Sequence, residues 1–322
     1  MRVGLRAPSL EDAPLIWRAM QDPDTLRFLP AIPDPFHRQD AVDFITEIAR
    51  PEDRAITVDG DFAGMIRTGG DLGYWVAPEF RGRGVLRRAA QQAIIAHFRD
   101  SDEPVRAWHL ADNGASRRTL LALGFRDMGA DIIRRARDGA ELAARSMQLS
   151  RADFTDALEI RTPRCRITAL GDADLPELHR IFTAPLVARM LLRFHSGMSL
   201  EEFAALMRPV MDPLRRRMRM AIRQDGRLIG SIGVHDGETP SIYYALAPEF
   251  AGQGLASEIV PTFCDNVQDW FGLVTLKAEV FQDNPASRRV LEKAGFRVTG
   301  TDSVASLGRA EGPSPGWLME RR

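Results

Sequence analysis

Gly252 and Gly254 stand where a β-rich run, 241–246, gives way to a run with Leu255, Ile259 and Phe263 spaced as one helix face. Pro248 should close the strand between them. Glycines at such a turn can take φ > 0 and let a ligand approach the backbone. Successive N–H groups at a helix N-terminus form a nest for a phosphate or pyrophosphate. Gly82 and Gly84 repeat the arrangement after Ala77-Pro78-Glu79-Phe80, which matches Ala247-Pro248-Glu249-Phe250. Neither turn is a Walker loop, since no Gly-Lys-Ser/Thr follows. Neither is a dinucleotide fingerprint, since Arg87 and Ser257 occupy the third glycine position. Alone, a Gly-x-Gly turn is better read as a tight turn without a ligand.

A second phrase follows each turn. Asn113-Gly114-Ala115-Ser116-Arg117-Arg118 leads to Gly124-Phe125-Arg126, and Asn284-Pro285-Ala286-Ser287-Arg288-Arg289 leads to Gly295-Phe296-Arg297. Pro78 and Pro248 lie 170 positions apart, Asn113 and Asn284 171. Two phrases in nearly one register mean a duplicated domain, far longer than a solenoid period. In the second copy a β-rich run, 274–281, precedes Asn284. The following helix carries Val290, Leu291 and Ala294 on one face and ends at Gly295 as C′ residue.

The order strand, Pro-Glu-Phe, glycine turn, helix, strand, Asn-x-x-Ser, helix, Gly-Phe resembles the GNAT superfamily of acyl-CoA N-acyltransferases. It is most similar to the branch that acetylates ribosomal-protein N-terminal amines, and the resemblance covers nearly all of both halves. It implies two tandem α/β (α+β) domains, each a mixed, mostly antiparallel sheet flanked by helices. It implies acetyl-CoA as co-substrate, its pyrophosphate on the glycine turn. Its pantetheine arm would lie beside a strand that a bulge splays from its neighbour. A free amine would attack the thioester directly, which accords with the lack of a nucleophile constellation.

Carried over residue by residue, the resemblance places cofactor contacts at Leu246, Ala251, Gly252, Gln253, Gly254, Leu255, Ala256 and Asn284. In the first half they fall at Val76, Arg81, Gly82, Arg83, Gly84, Val85 and Asn113. Ala251 replaces the family's Arg or Gln, and Leu86 stands where a small residue is usual, as Ala256 does in the second half. Arg81 and Arg83 are either phosphate contacts or solvated arginines. Asn284 and Asn113 either bond pantetheine, cap their helices, or do both. The family's general base falls on Glu279 in the second half and on Trp108, which cannot accept a proton, in the first. Glu279 is either that base or a solvated or ion-paired carboxylate. Leu120 and Leu291 occupy the position of the tyrosine acid of some relatives, so the acid falls to Ser287, Tyr244, Tyr243 or water. The second half is therefore the favoured catalytic one. Pro261, inside its helix, should cost about 3 kcal/mol or force a kink.

Composition narrows the partners. Apolar residues are 44%, charged residues 27% and net charge −1, giving no pull toward nucleic acid or anionic membrane. No apolar run reaches the length of a membrane span, and residues 1–20 do not resemble a signal peptide. A cytoplasmic protein is expected. Cys165 and Cys264 are read as reduced thiols, and no metal spacing occurs. The cluster Arg215, Arg216, Arg217 and Arg219 reads as a solvated face, with Met218 and Met220 alternating inward.

The elements that must position these residues form two domains, 1–156 and 157–322, each long enough for its own core. No flexible linker separates them, so the halves are expected to pack against each other. Asp59-Gly60 and Asp225-Gly226 read as two-residue hairpin turns. The acceptor amine is a small molecule or a protein N-terminus, met by segments 23–44 and 183–213. The competing class is a non-catalytic tandem pair that binds acyl-CoA or a protein partner.

Overall fold

Asp59 and Gly60 both take positive φ, as do Asp225 and Gly226, so each pair makes the hairpin turn its sequence predicts. Around these hairpins the computed structural model, which describes residues 1–68 and 71–322, forms two units, Met1–Ala157 and Leu158–Arg322. In the first unit, strands β1 (Val3–Arg6), β2 (Asp53–Val58), β3 (Asp61–Arg67) and β4 (Gly73–Val76) make an antiparallel sheet in that order. Helices α1 (Ala13–Met20), α2 (Pro23–Arg27) and α3 (Arg38–Asp43) lie between β1 and β2 in sequence. Ile16 and Met20 of α1 bury against Ala55, Phe62 and Met65 of the sheet. Helix α4 (Val85–Asp100) leads to β5 (Val105–Leu110), α5 (Gly114–Ala122), β6 (Arg126–Arg134), β7 (Glu141–Leu149) and α6 (Arg151–Ala157). The second sheet has the order β5-β7-β6.

The second unit repeats this plan. Strands β8 (Glu159–Arg161) and β9 (Arg166–Thr168) precede helices α7 (Leu175–Thr183), α8 (Pro185–Ala188) and α9 (Leu200–Met207). Strands β10 (Met218–Gln224), β11 (Arg227–Val234) and β12 (Ile242–Leu246) complete a five-stranded sheet, β12-β11-β10-β9-β8. Helix α10 (Leu255–Phe271), strand β13 (Leu276–Phe281), helix α11 (Pro285–Lys293) and strands β14 (Arg297–Val304) and β15 (Ser314–Arg321) follow, the last sheet ordered β13-β15-β14. Leu178, Ile181, Phe182, Phe203 and Met207 of α7 and α9 bury together with Phe194 against Ala221, Leu228 and Ala245 of the five-stranded sheet. Each unit is thus a tandem copy of one α/β plan with mostly antiparallel sheets flanked by helices.

Among the described residues, the two sheets of each unit meet at an isolated parallel bridge, Asp71↔Arg106 in the first and Ser241↔Lys277 in the second. Beyond it β4 parts from β5, and β12 from β13. The expected splay is present, but the bulge is not on the strand before the glycine turn. It lies one strand earlier: Ala63 is the extra residue between the pairs Ile56↔Gly64 and Thr57↔Phe62. Ile229 is the extra residue between Ile222↔Gly230 and Arg223↔Leu228. A Cβ on Gly230 would stand 2.1 Å from the Ala245 carbonyl oxygen, and one on Gly64 2.2 Å from that of Trp75. Glycine is what lets the bulged strand approach its neighbour so closely.

Helix α10 stays helical through Pro261. The ring removes one helical donor, while Arg321 Nη1 donates to the Pro261 carbonyl at 3.3 Å. Cys165 and Cys264 are buried and unpaired.

Candidate active site

Pro248–Phe250 forms a single 3-10 turn, which carries the chain from β12 to Gly252 and Gly254. These take φ of 76° and 77°, and Gly82 and Gly84 take 71° and 74°. A Cβ on Gly252 would meet nothing within 4 Å, so dihedral freedom, not crowding, demands glycine there. The N-terminus of α10 has no side-chain cap. Its first N–H groups therefore remain available to an anion.

Side chains around the second turn brace it from behind. Gln253 Nε2 donates to the Glu249 carbonyl at 2.9 Å. Arg164 Nη1 donates to the Gln253 carbonyl at 2.9 Å, and its Nε reaches Glu258 at 3.0 Å. Arg164 has no motif to betray it in the sequence, because it arrives from the β8–β9 hairpin. In the first unit, Arg81 spends its guanidinium on Asp22 at 2.8 Å, on Thr25, and on the Val76 carbonyl at 3.2 Å. Arg83 lies over the Phe80 ring.

The strand gap supplies further donors. Ala247 N–H donates to the Ile229 carbonyl across β11 at 2.8 Å. Side-to-side alternation along the strand then turns the N–H groups of Tyr244 and Leu246 toward the gap. Ala77 N–H donates to Ala63 at 2.9 Å, and the same alternation turns Tyr74 and Val76 toward the first unit's gap. On the far side, Asn284 Oδ1 accepts from Ser287 N–H at 3.0 Å, and Asn113 Oδ1 from Ser116 N–H at 3.0 Å. Both asparagines are therefore N-caps, with the side-chain NH₂ left as the donor. Tyr244 Oη lies 2.8 Å from Ser287 Oγ, and burial pushes the phenol up to about 12. Leu120 and Leu291 are buried core residues, so the position of the family's tyrosine acid has no polar function here.

A cleft of about 930 Å³ runs through the second unit. Gly252, Gly254 and Ala256 of the turn line it, as do Leu246, Tyr244, Asn284 and Ser287, together with Tyr243, His235 and Arg219. Two carboxylates line it, Asp236 and Glu279. Asp236 is held low by the Gly237 N–H and by Arg216 at 3.0 Å. Glu279 is exposed on β13, opposite Leu318 of β15, and among the described residues makes no ion pair. Glu249 is tied to Arg227 at 3.0 Å and Arg180 at 3.4 Å. In the first unit, Trp108 takes the place of Glu279. Its neighbour His109 is 2% exposed, with Nδ1 on the Leu110 carbonyl at 2.8 Å.

Sequence reasoning missed Arg219. It was grouped with a solvated basic face, yet it is 6% exposed. Strand β10 is central and buried on both faces, so the arginines alternating with Met218 and Met220 do not all reach water. Arg219 lies 4.3 Å from the Tyr243 ring centroid and 4.9 Å from that of Phe182. Its Nη1 donates to Ser231 Oγ at 2.7 Å, and burial lowers its pKa to about 10.

A family model described as an acetyltransferase (GNAT) domain matches the chain twice, at residues 2–126 and 164–297. An uncharacterized N-acetyltransferase of Bacillus subtilis, YoaA, is 35% identical over 107 residues, 31% of this chain and 58% of that protein. The match thus spans less than two thirds of that relative's length. Among solved structures, a GNAT-family acetyltransferase from Bacillus anthracis is 20% identical, covering 51% of this chain and 97% of its own, with a TM-score of 0.44. Spermidine N-acetyltransferase from Vibrio cholerae, solved with CoA and spermine, is 17% identical over 49% of this chain and 94% of its own, with a TM-score of 0.43. Among the described residues no helix is long and apolar enough to cross a membrane.

Proposed function

The chain belongs to the GNAT acetyltransferase family, matched in both halves, and from that premise we propose that its second unit transfers an acetyl group from acetyl-CoA to a primary amine by direct attack. The observation that carries this reading is the single cleft joining the uncapped α10 N-terminus, the strand gap and one unpaired carboxylate. Gly252, Gly254, Leu255 and Ala256 would present backbone N–H groups to the pyrophosphate. Tyr244 N–H, with the Asn284 amide, would bond the pantetheine arm, which leaves Leu246 N–H for the thioester carbonyl.

Acetyl-CoA supplies an activated acyl group whose thiolate leaves readily, free thiols ionising near pKa about 8.5. Glu279 takes a proton from the amine. The nitrogen attacks the thioester carbonyl, and the Leu246 N–H stabilises the oxyanion that forms. As the C–S bond breaks, Tyr244 and Ser287 hydrogen-bond the departing thiolate, and the proton that Glu279 took returns to the sulfur through solvent. The products are the N-acetylated amine and the free thiol.

The motif spelling that favours the ribosomal-protein branch concerns the cofactor side of the cleft. It leaves the acceptor, a protein N-terminus or a small amine, to the opposite side. A second reading, acyl-CoA binding without turnover, fits the first unit, where Trp108 stands in place of Glu279 while the glycine turn is kept. The test is acetyl-CoA titration of the full chain by calorimetry, followed by transfer assays on a panel of amines. Binding without transfer to any amine would leave only the second reading.

A further inference from the structure

Arg219 is a buried cation without a counter-ion. It makes no ion pair among the described residues. Its partners are neutral, Ser231 Oγ and the Tyr243 side chain, and its Nε is buried with no partner at all. Phe194, Tyr243 and Phe182 stack around it. Removing a guanidinium from water without an anion is costly, and aromatic faces offset only part of that cost.

The first unit shows the ordinary solution. Asp53 lies three residues before Ile56, the partner of Gly64, as Arg219 lies three before Ile222, the partner of Gly230. Asp53 is 4% exposed and is met bidentately by Arg67 at 2.6 and 2.7 Å. In the second unit the counterpart of Arg67 is Gly233. A Cβ there would stand 2.3 Å from the Met218 carbonyl oxygen and 2.5 Å from the Tyr243 ring, so glycine admits both the neighbouring backbone and the ring that packs on Arg219. A closed ion pair in one copy has become an open cation in the other, on the wall of the cleft.

The neighbourhood adds to this charge. Arg193 and Arg217 line the same cleft and make no ion pair among the described residues. His235 packs edge-on to Tyr243 at 4.6 Å. Its basicity is lowered by burial and by Arg219, Arg217 and Arg193.

Resting on the acetyl-transfer reading of this cleft, we propose that Arg219 anchors the carboxylate or phosphate of a small acceptor, so that the substrate is a primary amine that also carries an anionic group. Its amine would point toward Glu279, and its anion would supply the partner that Arg219 lacks. A polyamine would meet three arginines and is disfavoured.

The experiment uses the full chain with free amino acids, the same amino acids as carboxamides, aminoalkyl phosphates, their dephosphorylated amino alcohols, and spermidine. Initial rates with acetyl-CoA should favour an anionic member over its neutral match by about 10- to 100-fold in kcat/KM. The carboxylate and phosphate arms distinguish the two anions. Arg219→Met, which keeps the length of the apolar stem, should erase that preference through KM while acetyl-CoA affinity, read by calorimetry, holds. Spermidine or neutral amines acetylated as well as their anionic counterparts would overturn the proposal, and the wild-type comparison decides this even if no variant folds. Calorimetric binding of the same panel separates the two readings. Arg219-dependent anion binding without turnover would sink acetyl transfer and keep the anion site. Transfer without anion preference would do the reverse.

Discussion

The hydroxyls of Tyr244 and Ser287 lie 2.8 Å apart, tying the strand before the glycine turn to the first turn of α11. Tyr74 and Ser116 make the same tie at 2.9 Å. A pair that recurs in the unit where Trp108 stands at the position of Glu279 is first a strut, fixing the gap on its helical side. Burial pushes both phenols to about 12. Proton transfer from such a phenol to a thiolate would run uphill by several units, so in the proposed reaction Tyr244 would serve as a hydrogen-bond donor, and the proton taken up by Glu279 would return to sulfur through solvent.

This gives the alkaline behaviour of the protein a sign. An unfolded tyrosine ionises near about 10. The folded value is higher, so the contribution is fully present below about pH 10 and is lost as pH rises toward 12. Cys264, raised to about 12 by burial, acts in the same direction. The melting temperature should fall steeply above about pH 10, and the fall should be shallower in the double variant Tyr74→Phe/Tyr244→Phe. Identical slopes for variant and wild type would remove the phenols from the account.

Glu279→Gln keeps the shape of the side chain and removes its basicity. Asp236 and Glu249 are held by arginines, so neither is free to substitute. The expected loss in kcat is about 10²- to 10⁴-fold, with acetyl-CoA affinity unchanged by calorimetry. If kcat survives while chemistry limits the rate, Glu279 is not the base, and His235 at the same cleft becomes the group to replace next.

What was legible in the chain is what short-range chemistry encodes. Asp-Gly hairpins, glycine turns and Asn-x-x-Ser caps each act within a few residues, and duplication printed each of them twice. Arg219 was not legible, because Arg-Met-Arg-Met reads as a half-exposed strand. Only the sheet order, which makes β10 central, buries both faces. The family resemblance puts the bulge on the strand before the turn. The isolated glycines Gly64 and Gly230 were the signal for its true place, since glycine inside a strand marks a bulge or close backbone approach.

Gly230→Ala tests that placement. The new methyl would stand 2.1 Å from the Ala245 carbonyl oxygen, and backbone, unlike a side chain, cannot swing aside. A destabilisation of about 3 kcal/mol or more is expected in urea unfolding of the full chain. Gly252→Ala, with open space around its Cβ but a positive φ, should cost only about 1 kcal/mol. Equal costs for the two would mean that the bulge is not where the strain lies.

The last prediction concerns which unit holds the cofactor. Ala256 and Leu86 occupy the same position, second in the helix after each glycine turn, where the proposed nest of N–H groups would meet a bulky pyrophosphate. A methyl leaves those groups open, whereas a branched side chain can lean over them. Ala256→Leu should therefore weaken acetyl-CoA binding to the full chain by about tenfold, the equivalent of about 1.4 kcal/mol. Leu86→Ala alone should leave the tight site untouched. Calorimetry reads both affinity and stoichiometry, so a second site opened by Leu86→Ala would register as a change in the number bound. Should Ala256→Leu bind as tightly as wild type while a bulky residue at Gly84 abolishes binding, the first unit is the one that holds acetyl-CoA. The ordering of the two units would then be reversed.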